Sequence, residues 1–264
     1  MSALPKRGWS QFSIAEWHRL SAVATRHEPS LRLAYTKAAQ TNVGASEDAI
    51  RHAVTLLLAE VCDSTANIYG MVFNPGSQIY ADTVDRLVEQ FVGSVNPPNA
   101  RREVERLVPS SLGLVERASR VDTYGLDARS AVRIERMRQN GVSSWEVEAE
   151  RQRSILVRGN MIATTETNRV VNYSLIALWR DNMESSIEKA RRRRPKVEYI
   201  GTSRRRIQEA PNKTWMTRRD EKVCKYCDPL DGITARLDAE FDTRYGIFEA
   251  PPIHPNCRCF MVLG

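Results

Sequence analysis

Cys224-Lys225-Tyr226-Cys227 and, beginning 27 residues after it, His254-Pro255-Asn256-Cys257-Arg258-Cys259 gather five metal-ligand side chains near the end of a 264-residue chain. A Cys-x-x-Cys turn converges two thiolates on one ion, and a second Cys/His group further on closes a tetrahedral site of the structural zinc type. Five candidates exceed the four places of such a site. The spacing favours Cys224, Cys227 and Cys257, with either His254 or Cys259 as the fourth ligand. On an extended strand Cys257 and Cys259 point to the same face, so both thiols can reach one ion, and His254 would then stand outside the ligand set. Disulfide pairing and plain burial of free thiols are the competing readings. A reducing cytoplasm works against the first, and neither calls for His254.

No Ser/His/Asp or Cys/His catalytic arrangement stands beside the cluster. A metal-dependent hydrolase or nuclease would need Asp220, Asp231 or Glu249 to assist a metal-bound water, and an open position on the metal. A thiolate-rich cluster oversupplied with ligands favours a closed site instead, so the expectation is a structural protein and not an enzyme.

Charge is the second chemical feature. The formal net charge is +7, yet residues 189–225 alone carry fourteen Lys or Arg against four acids, so the rest of the chain is slightly acidic. Arg191, Arg192, Arg193, Arg194, Lys196, Arg204, Arg205 and Arg206 form the densest part. Such a run suits non-specific, salt-dependent contact with the phosphates of double-stranded DNA. A solvated linker or an arm for an acidic protein partner is the alternative. Aromatic stacking residues are sparse there beyond Tyr199.

The elements that must carry these groups read as mainly helical. Ser46 can cap a helix that has Glu47 and Asp48 in its first turn and Ile50, Val54, Leu57, Leu58 and Val61 on its apolar face. Tyr80, Val84, Leu87, Val88 and Phe91 repeat the pattern until Asn96-Pro97-Pro98, and a further helix runs from near Asp127 to Asn140-Gly141. Ser143 and Glu146 form a capping-box pair that opens a charged helix ending toward Arg158-Gly159-Asn160. The longest helix is expected from Met161 to about Lys189. Its wide apolar face holds one carboxylate, Glu166, which is expected to pair with an Arg or to cap another element. Cys62 falls on an apolar helix face and reads as core. Lys196 to Ile200 alternates as a strand in a flexible or hairpin connection. From Trp215 onward the tail has too few apolar runs for a large core, so cross-linking at the cluster would supply the missing restraint.

The fold class is therefore a mainly α protein, with a multi-helix N-terminal and central body and a small C-terminal α+β cysteine-rich module. The divisions are residues 1–125, an N-terminal helical region; 126–190, the central helices; 191–214, a basic linker or hairpin; and 215–264, the Cys/His module. No secretory signal and no apolar run of bilayer length is read in the sequence, so the expectation is a protein made and folded in the cytoplasm without a membrane partner.

Taken together, Trp215-x-Thr217-x-x-Asp220-x-x-Val223-Cys224-x-x-Cys227-x-x-Leu230-Asp231-Gly232 and Pro251-Pro252-Ile253-His254-Pro255-Asn256-Cys257-Arg258-Cys259 resemble the C-terminal signature of the phage Mu F-like head morphogenesis family, the minor head or minor capsid proteins. Upstream, Ile162-Ala163-Thr164-Thr165-Glu166-Thr167-Asn168-Arg169-Val170-Val171-Asn172 is similar to the helix that precedes it in that family. The likeness covers roughly Gly125 to Cys259. Thr164 stands where the family often has Arg, and the basic interval before Trp215 is longer. The resemblance implies a low-copy virion protein of the head that joins the portal protein during procapsid assembly in the host cytoplasm, with major capsid or scaffold protein and packaged DNA as further contacts. A free-standing regulator built on a zinc module is the remaining alternative. It lacks a recognition helix after the second ligand group.

Overall fold

In a computed structural model, the described residues are 11–41, 47–69, 74–95, 126–192, 212–218 and 220–263, with the side chains of 11–14, 41, 66–69 and 184–192 left outside the description. Among them are five helices: α1 (Gln11–Thr41), α2 (Glu47–Tyr69), α3 (Gln78–Val95), α4 (Ala128–Gln139) and α5 (Ser144–Arg192). Five short strands follow, β1 (Asn212–Met216), β2 (Thr234–Arg236), β3 (Phe241–Thr243), β4 (Gly246–Phe248) and β5 (Phe260–Leu263). The mainly helical fold with a small cysteine-bearing C-terminal strand region is as expected. No described helix is long and apolar enough to cross a membrane.

Local signals explain the shorter helices. Asp127 caps α4 by accepting from the Ser130 amide at 2.9 Å, and the helix closes at Asn140, followed by Gly141 at φ 72°, a conformation that favours glycine. On α2, Ile50, Val54, Leu57, Leu58 and Val61 are fully buried, and Cys62 is buried beside them. Ser46, the expected cap, lies outside the described residues, as does the expected stop at Asn96-Pro97-Pro98. Val84, Leu87, Val88 and Phe91 are buried on α3 while Tyr80 is half-buried. The expected strand at 196–200 also lies outside the described residues.

The expected helix boundary at Arg158-Gly159-Asn160 is not there. Helix α5 runs unbroken for 49 residues, from the turn at Ser143, whose hydroxyl meets Glu146 at 2.5 Å, to Arg192. Gly159 sits in its interior because the buried Tyr35 ring of α1 presses on it. A Cβ built at that position would lie 2.9 Å from Tyr35 Cδ1. The glycine therefore permits a close helix approach and does not break the helix. Glu166 is buried and accepts from the Ser94 hydroxyl at 2.9 Å, which ties α5 to the last turn of α3.

The chain divides into two compact units, one of Met1–Thr25, Leu57–Thr83 and Asn168–Gly264, the other of Arg26–Leu56 and Val84–Thr167. The whole Cys/His region belongs to the first. There the strands form an antiparallel three-stranded sheet in the order β2-β1-β5 and a separate β3-β4 hairpin. Trp215 of β1 and Phe241 of β3 meet edge to face at 5.3 Å, and both are fully buried. Every residue of β5 is buried as well. The tail thus has an aromatic core of its own beside the cluster, which the scarcity of long apolar runs did not suggest.

Candidate metal centre

The first half of the site is a turn. The Cys227 and Asp228 amides both donate to the Cys224 carbonyl at 3.0 Å, and the Cys227 amide also faces the Cys224 sulfur at 3.4 Å. Asp228 and Pro229 then open the 3-10 turn Asp228–Leu230 that ends the loop. The second half is a turn too. The Cys257 amide donates to the His254 carbonyl at 3.2 Å, with Pro255 in the second position and Asn256 at φ 60° in the third. That is the residue pattern of a type II turn, in which the third residue needs positive φ and Asn tolerates it. It folds His254 back toward Cys257.

The two turns meet. His254 Nε2 lies 3.1 Å from Cys224 Sγ and 2.9 Å from Cys227 Sγ, and Cys227 Sγ lies 3.8 Å from Cys257 Sγ. Two ligand triads result, Cys224-Cys227-His254 and Cys227-Cys257-Cys259, each with its donor atoms within 4.8 Å of one another. Cys227 belongs to both. The structure therefore brings together all five residues singled out from the sequence, and His254 is inside the cluster. Cys227, Cys257 and Cys259 are buried and Cys224 is half-buried, and all five cysteines of the chain are free thiols.

This arrangement can hold a metal ion. Two thiolates about 2.3 Å from a tetrahedral zinc would stand about 3.8 Å apart, which is the Cys227–Cys257 separation. His254 Nδ1 is 2.8 Å from the Pro255 carbonyl, an acceptor only, so Nδ1 carries the proton and donates it. The lone pair of the neutral ring is then on Nε2, the atom that faces the sulfurs, as in histidines whose outer nitrogen is tied down to orient them as ligands.

The electrostatics shift the sulfurs in opposite directions, Cys224 and Cys257 down and Cys227 and Cys259 up. Burial pushes the Cys224 thiol up, but the amides of Cys227 and Tyr226 outweigh it and leave the thiol below its usual value. Hydrogen bonds from Cys227 and then Cys259 hold Cys257 well down, so it is the first of its triad to ionise, while Cys227 is pushed up as the partner that keeps its proton. Burial would lower His254, yet the Nδ1 bond to Pro255 and the neighbouring thiolates raise it.

Three polar ties brace the centre. Arg258, between two ligand residues, grips Asp220 through two bonds of 2.5 and 2.6 Å, joining the second turn to the approach to the first. Asp231 Oδ1 accepts from the amide and hydroxyl of Thr217 at 2.9 and 3.0 Å. Glu249 pairs with Arg180 at 2.6 Å, while its carbonyl accepts from the buried Lys213 amine at 2.7 Å. The three carboxylates that a hydrolase would have used are thus committed to structural contacts. Asn168 and Asn172 of α5 bond the carbonyls of Cys257 and Cys259, contacts that sequence reasoning did not assign. Two amides one helical turn apart on an apolar helix were the available signal.

The cationic residues are placed less fully. Arg191 and Arg192 lie in the last turn of α5 with side chains outside the description, and Arg193, Arg194, Lys196, Arg204, Arg205 and Arg206 lie outside the described residues. Comparison with known proteins gave no match to a family model, a curated protein or a solved structure.

Proposed function

We propose that this chain is a minor head protein of a tailed phage, of the Mu F-like kind, which joins the portal vertex during head assembly and whose C-terminal module is locked by a structural zinc. The observation that carries the reading is the meeting of the two sequence blocks on which the resemblance rests. Asn168 and Asn172, from the helical block, bond the carbonyls of Cys257 and Cys259, from the cysteine block. Contact between the two blocks supports reading them as parts of one structural unit.

Zinc is the metal of choice because the donors are soft thiolates plus one imidazole in a compact, largely buried cluster. Four of the five donors would fill a tetrahedral coordination sphere, which would leave no open position for a substrate or reactive water. Commitment of Asp220, Asp231 and Glu249 to Arg258, Thr217 and Arg180 supports the structural role over hydrolysis. The arginine-rich run would lie against packaged DNA by phosphate contact alone, so binding should be indifferent to sequence and weaken steeply with salt.

The test is mass spectrometry of purified virions and procapsids, together with co-purification of the tagged chain with the portal protein. The chain should be present in few copies per particle and should retain the portal protein. Absence from both particle types would remove the proposal.

A further inference from the structure

The second half of the ligand set is held by α5 as well as by its own sheet. Asn168 and Asn172, four residues apart and so neighbours on the helix surface, are both buried. Asn168 Nδ2 donates to the Cys257 carbonyl at 3.1 Å. Asn172 Nδ2 donates to the Cys259 carbonyl at 3.2 Å, and its Oδ1 accepts from the Met261 amide at 2.6 Å. Strand β5 closes one side of the three-stranded sheet, with β1 its only strand partner among the described residues. Asn172 offers residues 259 and 261 a donor and an acceptor, as the peptide of another strand would, and so covers an edge that otherwise needs a partner.

We infer that Asn168 and Asn172 are positioning residues of the metal centre, which make metal affinity and the seating of β5 on α5 one linked equilibrium. This rests on the reading of the cluster as a metal site and extends it to residues that never touch the ion. Fixing the backbone of Cys257 and Cys259 in advance removes part of the ordering cost that a ligand set on a loose tail would meet on binding. Linkage then runs both ways: the ion tightens the seat by the same factor by which the seat tightens the ion. If the two asparagines merely satisfied the strand edge, zinc affinity would not depend on them.

The test uses the full chain, N168A and N172A, with zinc affinity from competition against a chromophoric chelator and cobalt(II) absorption as a report on the coordination sphere. Each variant should bind zinc about 10- to 100-fold more weakly, with an altered sulfur-to-cobalt charge-transfer band, while helical circular dichroism matches the parent. Equal affinities and spectra in variants and parent overturn this inference alone. A parent that binds neither metal overturns the metal reading and this inference with it. If the variants lose helix content, hydrogen exchange in the parent decides. The Met261 amide should exchange faster once zinc is stripped, and unchanged protection overturns the linkage.

Discussion

Cys227 is the one donor common to both triads, so its replacement by Ser should do more damage than loss of a sulfur that belongs to one. Its Sγ stands 2.9 Å from His254 Nε2 and 3.8 Å from Cys257 Sγ, and it alone belongs to both triads. Structural zinc sites of this type contribute roughly 10–16 kcal/mol of apparent binding free energy. Divided over four ligands, removal of one thiolate costs about 3 kcal/mol, or about two orders of magnitude in affinity. C259S leaves Cys224, Cys227, His254 and Cys257 in place and should lose less affinity than C227S. The assay is zinc competition on parent, C227S and C259S, read beside limited proteolysis of the C-terminal module. In C227S the module should become protease-sensitive while the helices stay resistant. Equal affinity loss in the two variants, or greater loss in C259S, would refute the assignment of Cys227 as the shared ligand.

Other predictions follow from single interactions. Gly159→Ala should destabilise by about 1 kcal/mol despite a helix-propensity gain of about 0.8–1 kcal/mol, because a methyl 2.9 Å from the buried Tyr35 ring forces repacking; a raised thermal midpoint would contradict this. Asp220 is held below the usual carboxylate range by its bonds to Arg258, so its contribution is present above the unfolded-state pKa and is lost as pH falls through the lower folded-state pKa. Compared in excess chelator, parent and D220N should differ by about 0.5–1 kcal/mol near neutral pH, the pair being partly exposed, and the gap should close in acid; a gap that widens in acid would exclude the pair as its source. Replacing Arg204, Arg205 and Arg206 by Gln should weaken DNA binding uniformly across sequences and flatten its salt dependence, by about 0.9 in log–log slope for each phosphate left without its cation. A sequence-dependent loss would point to base readout instead.

The sequence was most informative where the physics is local. Asp127 and Asn140 mark the ends of α4 through bonds to their own neighbours, and the buried stripe of α2 follows from helical spacing alone. The five residues of the Cys/His cluster were legible because Cys-x-x-Cys and His-Pro-Asn-Cys encode their own turns. Gly159 was misread because its role is set by Tyr35, more than a hundred residues away, and nothing local tells a close approach from a break. Trp215 against Phe241, Asp220 gripping Arg258 and the two asparagines on the ligand strand are likewise contacts between distant segments. Periodicity and spacing carry no record of them, so the tail looked poorer in core than it is.

Metal content and thiol reactivity, measured together on freshly prepared reduced protein, test the central claim most directly. The account predicts one zinc per chain and slow reaction of the cluster thiols until a chelator is added, after which they react quickly. Cys62, which burial pushes up to about 12, should react only on unfolding. Protein without bound metal, whose cluster thiols react equally fast with and without chelator, would contradict it.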